Sequence, residues 1–300
     1  GELYRKIGAR DRVDPRSLLL TPGSDGAIRL VFQGFVRPGD AVVHPNPTFA
    51  MYPIYSMMFG ARPVTIDYVA TPEGPRLPLD EVIEAIRQNH PTLVCLPNPG
   101  SPSGSVVSQE DLRTVLRECE LVGAAFLVDE AYYPFHAETV VPWVSEHPGL
   151  IVARTFAKAW GAAGIRVGYA VAATDTAKIL HKMRPMYEIG AIQVAFLERL
   201  LDHADAMERS VGRIREGGRH FRERISEMGF SGPATHGNFV HVAFGEAAER
   251  VHAALSDHVL YRKAFEHPAF NGLTRFSLGP KEIMERVARR IESVCRPPAR

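Results

Sequence analysis

The sequence predicts an α/β fold: a mixed, mostly parallel central sheet covered by helices, followed by a smaller α+β C-terminal domain. Three observations carry this. Apolar runs at 18–20, 41–43, 93–96, 124–128 and 150–153 recur along the first 200 residues. Stretches with helical spacing separate them. After about residue 200 the apolar runs thin out and charge takes over. Continuous rather than alternating apolar runs mean strands buried on both faces, the signature of a parallel sheet between helices.

The elements follow in order. Leu18, Leu19 and Leu20 lead into Thr21, Pro22, Gly23 and Ser24, and Ala27, Leu30, Val31 and Phe35 then recur at helical spacing. Residues 41–43 form a short strand, and 93–96 a strand ending in a Pro/Gly/Ser loop. A helix opens at Ser108, where Asp111 completes a capping box, and buries Leu112, Val115, Leu116 and Cys119. The run 124–128 stops abruptly at Asp129 and Glu130. Residues 202–228 read as a charge-rich, solvated helical connector, and 238–242 as a strand. The last helix carries Ile283, Val287, Ile291 and Val294 on one face.

Composition narrows the function classes. The 300 residues hold 35 Lys+Arg against 34 Asp+Glu, a net charge of +1, with 45% hydrophobic residues. The balance argues against a nucleic-acid partner, and the apolar content against a disordered acidic chain. Cys95, Cys119 and Cys295 are too widely spaced for a disulfide framework or a zinc knuckle, so reduced thiols, no metal and a cytoplasmic protein are expected. Residues 41–61 carry no Lys, Arg, Asp or Glu. Pro45, Pro47 and Pro53 with Asn46 would break a spanning helix there, so no membrane segment is expected. The first residues show no signal core.

Several residues at predicted strand ends carry chemistry, because ligands of open parallel sheets sit beyond the carboxyl ends of the strands. Gly23, Ser24, Asp25 and Gly26 lie between strand and helix, as either an anion site or a plain N-cap. Asp129 ends the most apolar strand, costly unless it meets a cation or caps the next turn. Lys158 follows the strand at 150–153, as either a merely solvated lysine or one whose apolar company would make it a nucleophile toward carbonyls. Arg166, eight residues later, is suited to clamp a phosphate or to make a structural ion pair.

Together these residues, with Phe49 after a proline-rich turn and Tyr132 three residues after Asp129, form one coherent set. The segments TPGSDGAI, PTFAMY, NPGSPSG, DEAYYPF, RTFAKAWGAAGIRVGY and LTRFSLG span almost the whole chain. In them the sequence resembles the fold-type I pyridoxal-phosphate enzymes of the class I/II aminotransferases, in the histidinol-phosphate aminotransferase and threonine-phosphate decarboxylase group. RTFAKAWGAAGIRVGY is the most specific match. The resemblance implies that Lys158 holds pyridoxal 5'-phosphate as a Schiff base and shuttles the proton. It further implies that Asp129 pairs with the pyridinium nitrogen, Tyr132 hydrogen-bonds the phenolic oxygen and Phe49 stacks on the ring. Ser24, Asp25, Gly26, Thr155 and Arg166 would hold the phosphate. Arg275 would grip the substrate carboxylate, with Arg262 reaching the substrate's other end. The segment 182–189 resembles a subset of these enzymes and adds Tyr187 as a substrate contact.

Three departures stand out. Ser101 occupies the position of the family's Asn against the phenolic oxygen, Ala157 replaces the Ser before the lysine, and Gly26 replaces an acidic residue. They weaken an assignment to histidinol phosphate itself while leaving the lysine, aspartate and arginines. The expected activity is amino transfer on a small phosphate- or phosphonate-bearing amino acid. Decarboxylation of such a substrate is the alternative, since the outcome depends on which bond at the substrate's α-carbon stands perpendicular to the ring. A non-catalytic pyridoxal-phosphate sensor domain is the alternative of another class. The resemblance implies a homodimer with shared sites. It also divides the chain into a large cofactor-binding domain, 16–200, and a small domain, 201–300, with 1–15 a remnant of the small domain's N-terminal segment. The family match starts well inside the usual N-terminal region, so a trimmed start or one module of a longer polypeptide is expected.

Overall fold

The computed structural model describes residues 1–295. In chain order the first strands are β1 (Leu18–Thr21), β2 (Ala41–Asn46), β3 (Arg62–Asp67), β4 (Val69–Thr71), β5 (Gly74–Arg76) and β6 (Leu93–Pro97). They are followed by β7 (Ala125–Asp129), β8 (Leu150–Thr155), β9 (Gly168–Ala172), β10 (Phe239–Ala243) and β11 (Leu273–Ser277). The helices begin with α1 (Glu2–Asp11), α2 (Gly23–Phe35), α3 (Met51–Met58), α4 (Leu79–Asn89) and α5 (Gln109–Val122). The later ones are α6 (Thr174–Met183), α7 (Ala191–Leu201), α8 (Ala204–Glu227), α9 (Ala248–Leu255) and α10 (Lys281–Cys295).

Two compact units emerge. The first comprises Gly1–Tyr68, Leu77–Pro102 and Val106–Met207; the second comprises Val69–Arg76, Ser103–Ser105 and the described residues from Glu208 onward. Residues 1–15, expected to be a piece of the small domain, fall in the first unit, where α1 packs on α7. Lys6 reinforces that contact by donating to the Glu198 carbonyl oxygen at 2.8 Å and pairing with Asp202.

The first unit is built on a seven-stranded sheet of order β1-β9-β8-β7-β6-β2-β3. Its pairings from β8 through β7, β6 and β2 to β3 are parallel, whereas β9 runs antiparallel to both β8 and β1. This is the mostly parallel sheet that the apolar runs predict. β2 runs on past the apolar triplet to Asn46 because its register with β3 continues to Asp67, where Asn46 Nδ2 donates to Asp67 Oδ1 at 2.7 Å. The uncharged stretch 41–61 thus resolves into a strand and the short helix α3. Among the described residues no helix is long and apolar enough to cross a membrane.

α2 lies across β8 and β9 because Ala27, Ile28, Val31 and Phe32 share one face, and that face is fully buried with Leu127, Ile151 and Ala170. Each large side chain so buried contributes about 1.5–3 kcal/mol. α5 starts as its sequence predicts: the Ser108 hydroxyl accepts from the Asp111 N–H at 3.1 Å and donates to the Asp111 carboxylate at 2.7 Å. Gly123, at φ 73°, ends it in the left-handed conformation that glycine adopts without strain.

In the second unit β10 and β11 form an antiparallel pair, and α9 and α10 pack together. Two sequence expectations change here. The charge-rich stretch is more than a solvated connector, because Phe221 and Ile225 of α8, four residues apart, are buried in this unit's core. On α10 the buried stripe is Met284, Val287, Ala288 and Ile291. Ile283 lies one position off that stripe and is 48% exposed.

Candidate active site

A cavity of about 220 Å³ lies in the first unit, lined by residues from six separate stretches of chain. Ser24 and Asp25 reach it from the start of α2, Phe49 from the turn before α3, and Ser101 from the loop after β6. Asp129 and Tyr132 come from the end of β7. Thr155, Lys158 and Arg166 come from the β8–β9 connection. The stretches converge because parallel strands present their carboxyl ends on one edge of the sheet.

Two glycines shape the mouth of α2. Gly23 has φ 72°, and a Cβ there would stand 3.0 Å from Arg166 Nη2. A Cβ on Gly168 would fall 2.3 Å from the Ser24 nitrogen. Without side chains at either place, the first turn of α2 approaches the sheet and the guanidinium sits over its N-terminal end. That end carries the positive pole of a 13-residue helix, so two sources of positive potential meet. Tyr55 of α3 donates to Asp25 Oδ1 at 2.8 Å, which directs the carboxylate into this contact. Thr155 Oγ1 accepts from the Ala157 N–H at 3.1 Å, leaving its own proton for an acceptor.

At the cavity's other end Asp129 is 5% exposed. Both donors to its carboxylate are uncharged: the Ala131 N–H to Oδ1 at 3.0 Å and the Tyr52 hydroxyl to Oδ2 at 3.3 Å. Burial pushes its pKa up to about 6, against the pull of those hydrogen bonds and of the Lys158 charge. The Lys158 ammonium lies 5.4 Å from the Tyr132 ring centre.

Beside this open carboxylate stands a closed network. Arg154 is 3% exposed and donates from Nη2 to Glu130 Oε2 at 2.8 Å, while its Nη1 pairs with Asp11 Oδ1 at 2.9 Å. Thr139 Oγ1 and the Val140 N–H complete Glu130, and the Tyr169 hydroxyl donates to Asp11 Oδ2 at 2.7 Å. The Arg154 guanidinium also covers the Tyr133 ring at 3.6 Å. Burial alone would depress its pKa, but Tyr169, Glu130 and Asp11 raise it above the usual guanidinium value. The network ties α1, β7, β8 and β9 together directly behind the cavity-lining residues.

Of the residues singled out in the sequence, Ser24, Asp25, Phe49, Ser101, Asp129, Tyr132, Thr155, Lys158 and Arg166 share this cavity. Gly26 does not line it: its N–H is spent on the Pro22 carbonyl at 3.3 Å, and its α-carbon packs against Pro22 and Thr21. Tyr187 lies beyond α6, is 88% exposed and does not line the cavity either. Arg275 and Arg262 belong to the second unit, where each backbone N–H donates to the other's carbonyl and both guanidinium groups face Phe265. Sequence reasoning missed Tyr52, although it ends the PTFAMY segment three residues after Phe49. It also missed Arg154, four residues before Lys158, and Glu130, next to Asp129.

The model of the family described as aminotransferase class I and II matches residues 3–291. The histidinol-phosphate aminotransferase of Caldanaerobacter subterraneus subsp. tengcongensis is 32% identical over 282 residues, 94% of this chain and 78% of that protein. Among solved structures, the histidinol-phosphate aminotransferase of Sinorhizobium meliloti in complex with pyridoxal 5'-phosphate is 25% identical. It superposes with a TM-score of 0.87, over 99% of this chain and 82% of that one. The L-threonine-O-3-phosphate decarboxylase of Porphyromonas gingivalis shares the fold, with a TM-score of 0.78 at 21% identity over 97% of this chain and 90% of that one. A seven-stranded mixed sheet of this order and a family match over nearly the whole length lead to one conclusion: the chain belongs to the aminotransferase class I and II family.

Proposed function

We propose that the chain is a pyridoxal-phosphate-dependent aminotransferase acting on a small phosphate-bearing amine or amino acid, with L-histidinol phosphate the first substrate to test. The observation that carries this reading is the cavity itself, which unites Lys158, a buried carboxylate without a charged donor, and a helix N-terminus topped by Arg166. The residues fit the cofactor. A pyridinium N–H would supply the charged hydrogen-bond donor that the buried Asp129 lacks, and a phosphate dianion suits the positive end of α2. When bound, the cofactor supplies an electrophilic carbon and a ring that accepts electrons from the substrate's α-carbon.

The residues divide the work. Lys158 Nζ would hold the cofactor and move the proton taken from the substrate carbon that bears the amine. Asp129 holds the proton on the ring nitrogen. Tyr132 would donate to the ring's phenolic oxygen, with Ser101 a shorter second donor than an asparagine. Phe49 would pack on the ring and keep water from it. Ser24, the backbone of Asp25, Thr155 and Arg166 hold the phosphate; the Asp25 carboxylate, bound to Tyr55, stays out of that contact. Arg275 and Arg262 recognise the substrate's anionic groups. The working form is a homodimer, a reading supported by Met57 and Met58 on α3 and by Ile192 and Phe196 on α7, which the chain alone leaves exposed.

Purified protein supplied with the cofactor, 2-oxoglutarate and L-histidinol phosphate or related phosphorylated amines tests the reading. Glutamate should form in step with loss of the donor amine. Carbon dioxide release without glutamate would replace amino transfer by decarboxylation, and cofactor binding without any product would leave a sensor.

A further inference from the structure

We infer that Tyr52 is a positioning residue for the cofactor's ring: its hydroxyl holds the Asp129 carboxylate in place, and ionised, to face the ring nitrogen. Asp129 has this task only if the cavity takes pyridoxal phosphate, the reading on which the assignment rests.

Tyr52 is fully buried and does not line the cavity. It reaches the site from behind, donating to Oδ2 at 3.3 Å while the Ala131 N–H takes Oδ1 at 3.0 Å. One donor on each oxygen fixes the plane of the carboxylate. The phenol cannot swing away, because its ring packs edge-on against Phe49 at 6.2 Å and stacks with His44 at 6.3 Å. It also remains a donor at every working pH, since burial and the nearby Asp129 charge push its own pKa well up. The ionisable groups acting on Asp129 are Lys158, which favours its charged form, Glu130, which opposes it, and Tyr52. Burial first, and then the nearby Asp129 charge, raise the pKa of the Cys95 thiol. Tyr52 and the Ala131 N–H are therefore the direct means of keeping a buried carboxylate charged. A carboxylate held charged keeps a proton on the ring nitrogen, and with it the ring's capacity to accept electrons. Placement on α3, three residues after Phe49, couples the ring's stacking wall and its counter-charge to one short helix.

Tyr52→Phe keeps the ring and removes only the donor. The test loads wild type and variant with pyridoxal phosphate labelled with ¹⁵N at the ring nitrogen, and reads that nitrogen's chemical shift across pH together with the cofactor's dissociation constant. The variant's resonance should move toward neutral pyridine at a lower pH than in wild type. Its dissociation constant should rise about ten-fold, the weight of one hydrogen bond to a charged group. A shifted titration with unchanged affinity supports the assignment as well. An unchanged titration in a folded Tyr52→Phe protein overturns it, even where affinity falls, since packing alone would then explain the loss. Wild-type protein that takes up no pyridoxal phosphate overturns the cofactor reading itself and the Tyr52 assignment with it.

Discussion

Asp129 and Glu130 are neighbours in sequence, both nearly excluded from solvent, and have opposite surroundings. Glu130 is saturated: Arg154, Thr139 and the Val140 N–H all serve its carboxylate, and Asp11 shares the same guanidinium. Asp129 has two uncharged donors and a pKa raised to about 6 by burial. The alternation of a strand end sends one carboxylate into the fold and the other into the cavity. A closed charge network fastens α1 and three strands to each other, whereas an open carboxylate is held in readiness for a ligand. Buried charge alone does not mark a functional group; a buried carboxylate that opens on a cavity and is hydrogen-bonded by neutral donors does.

Exchanging the two behaviours by mutation would break this contrast. The largest effect belongs to Lys158→Ala, which should lower amino transfer by on the order of 10⁴-fold and abolish the bound cofactor's visible absorbance, with melting of the cofactor-free protein little changed. Arg154→Met should do the reverse. Two buried carboxylates lose their cation, and chemical denaturation should show a loss of about 3–5 kcal/mol. A loss under 1 kcal/mol would mean that the network is not what fastens these elements.

Asp129→Asn sharpens the contrast through pH. The folded-state pKa lies near 6, above the ordinary 3.8, so the folded protein holds a proton that the unfolded chain gives up. The stability that proton linkage lends is present below pH 4 and is lost as pH rises through 6, a change of roughly 3 kcal/mol. Denaturation of the cofactor-free protein should therefore show the Asn variant gaining on wild type between pH 4 and 6, then levelling off. Parallel curves would remove the open carboxylate from the account. Ser108→Ala, remote from both carboxylates, sets the scale: loss of the α5 cap should cost about 1 kcal/mol with amino transfer unchanged.

The strands were legible because a parallel sheet buried on both faces needs continuous apolar runs. The Ser108 cap was legible because it is a contact three residues long. α8 was misread because charge dominates its composition, and Phe221 and Ile225 gain their meaning only from the strands of the second unit that they meet. Nine of the residues lining the cavity were legible because each is a polar or aromatic exception at the end of an apolar run, or lies within a family segment. Gly26 illustrates the limit, since a motif position says nothing about whether its N–H is already spent on Pro22.

Local spacing was enough to say which strands are buried on both faces and which residue types stand at their carboxyl ends, because burial and periodicity are written into it. Which of two adjacent carboxylates is closed and which is open depends on contacts distant in the chain. Arg154 lies 24 residues beyond Glu130, and Tyr52 lies 77 before Asp129. No local pattern can say which of them will arrive at which oxygen.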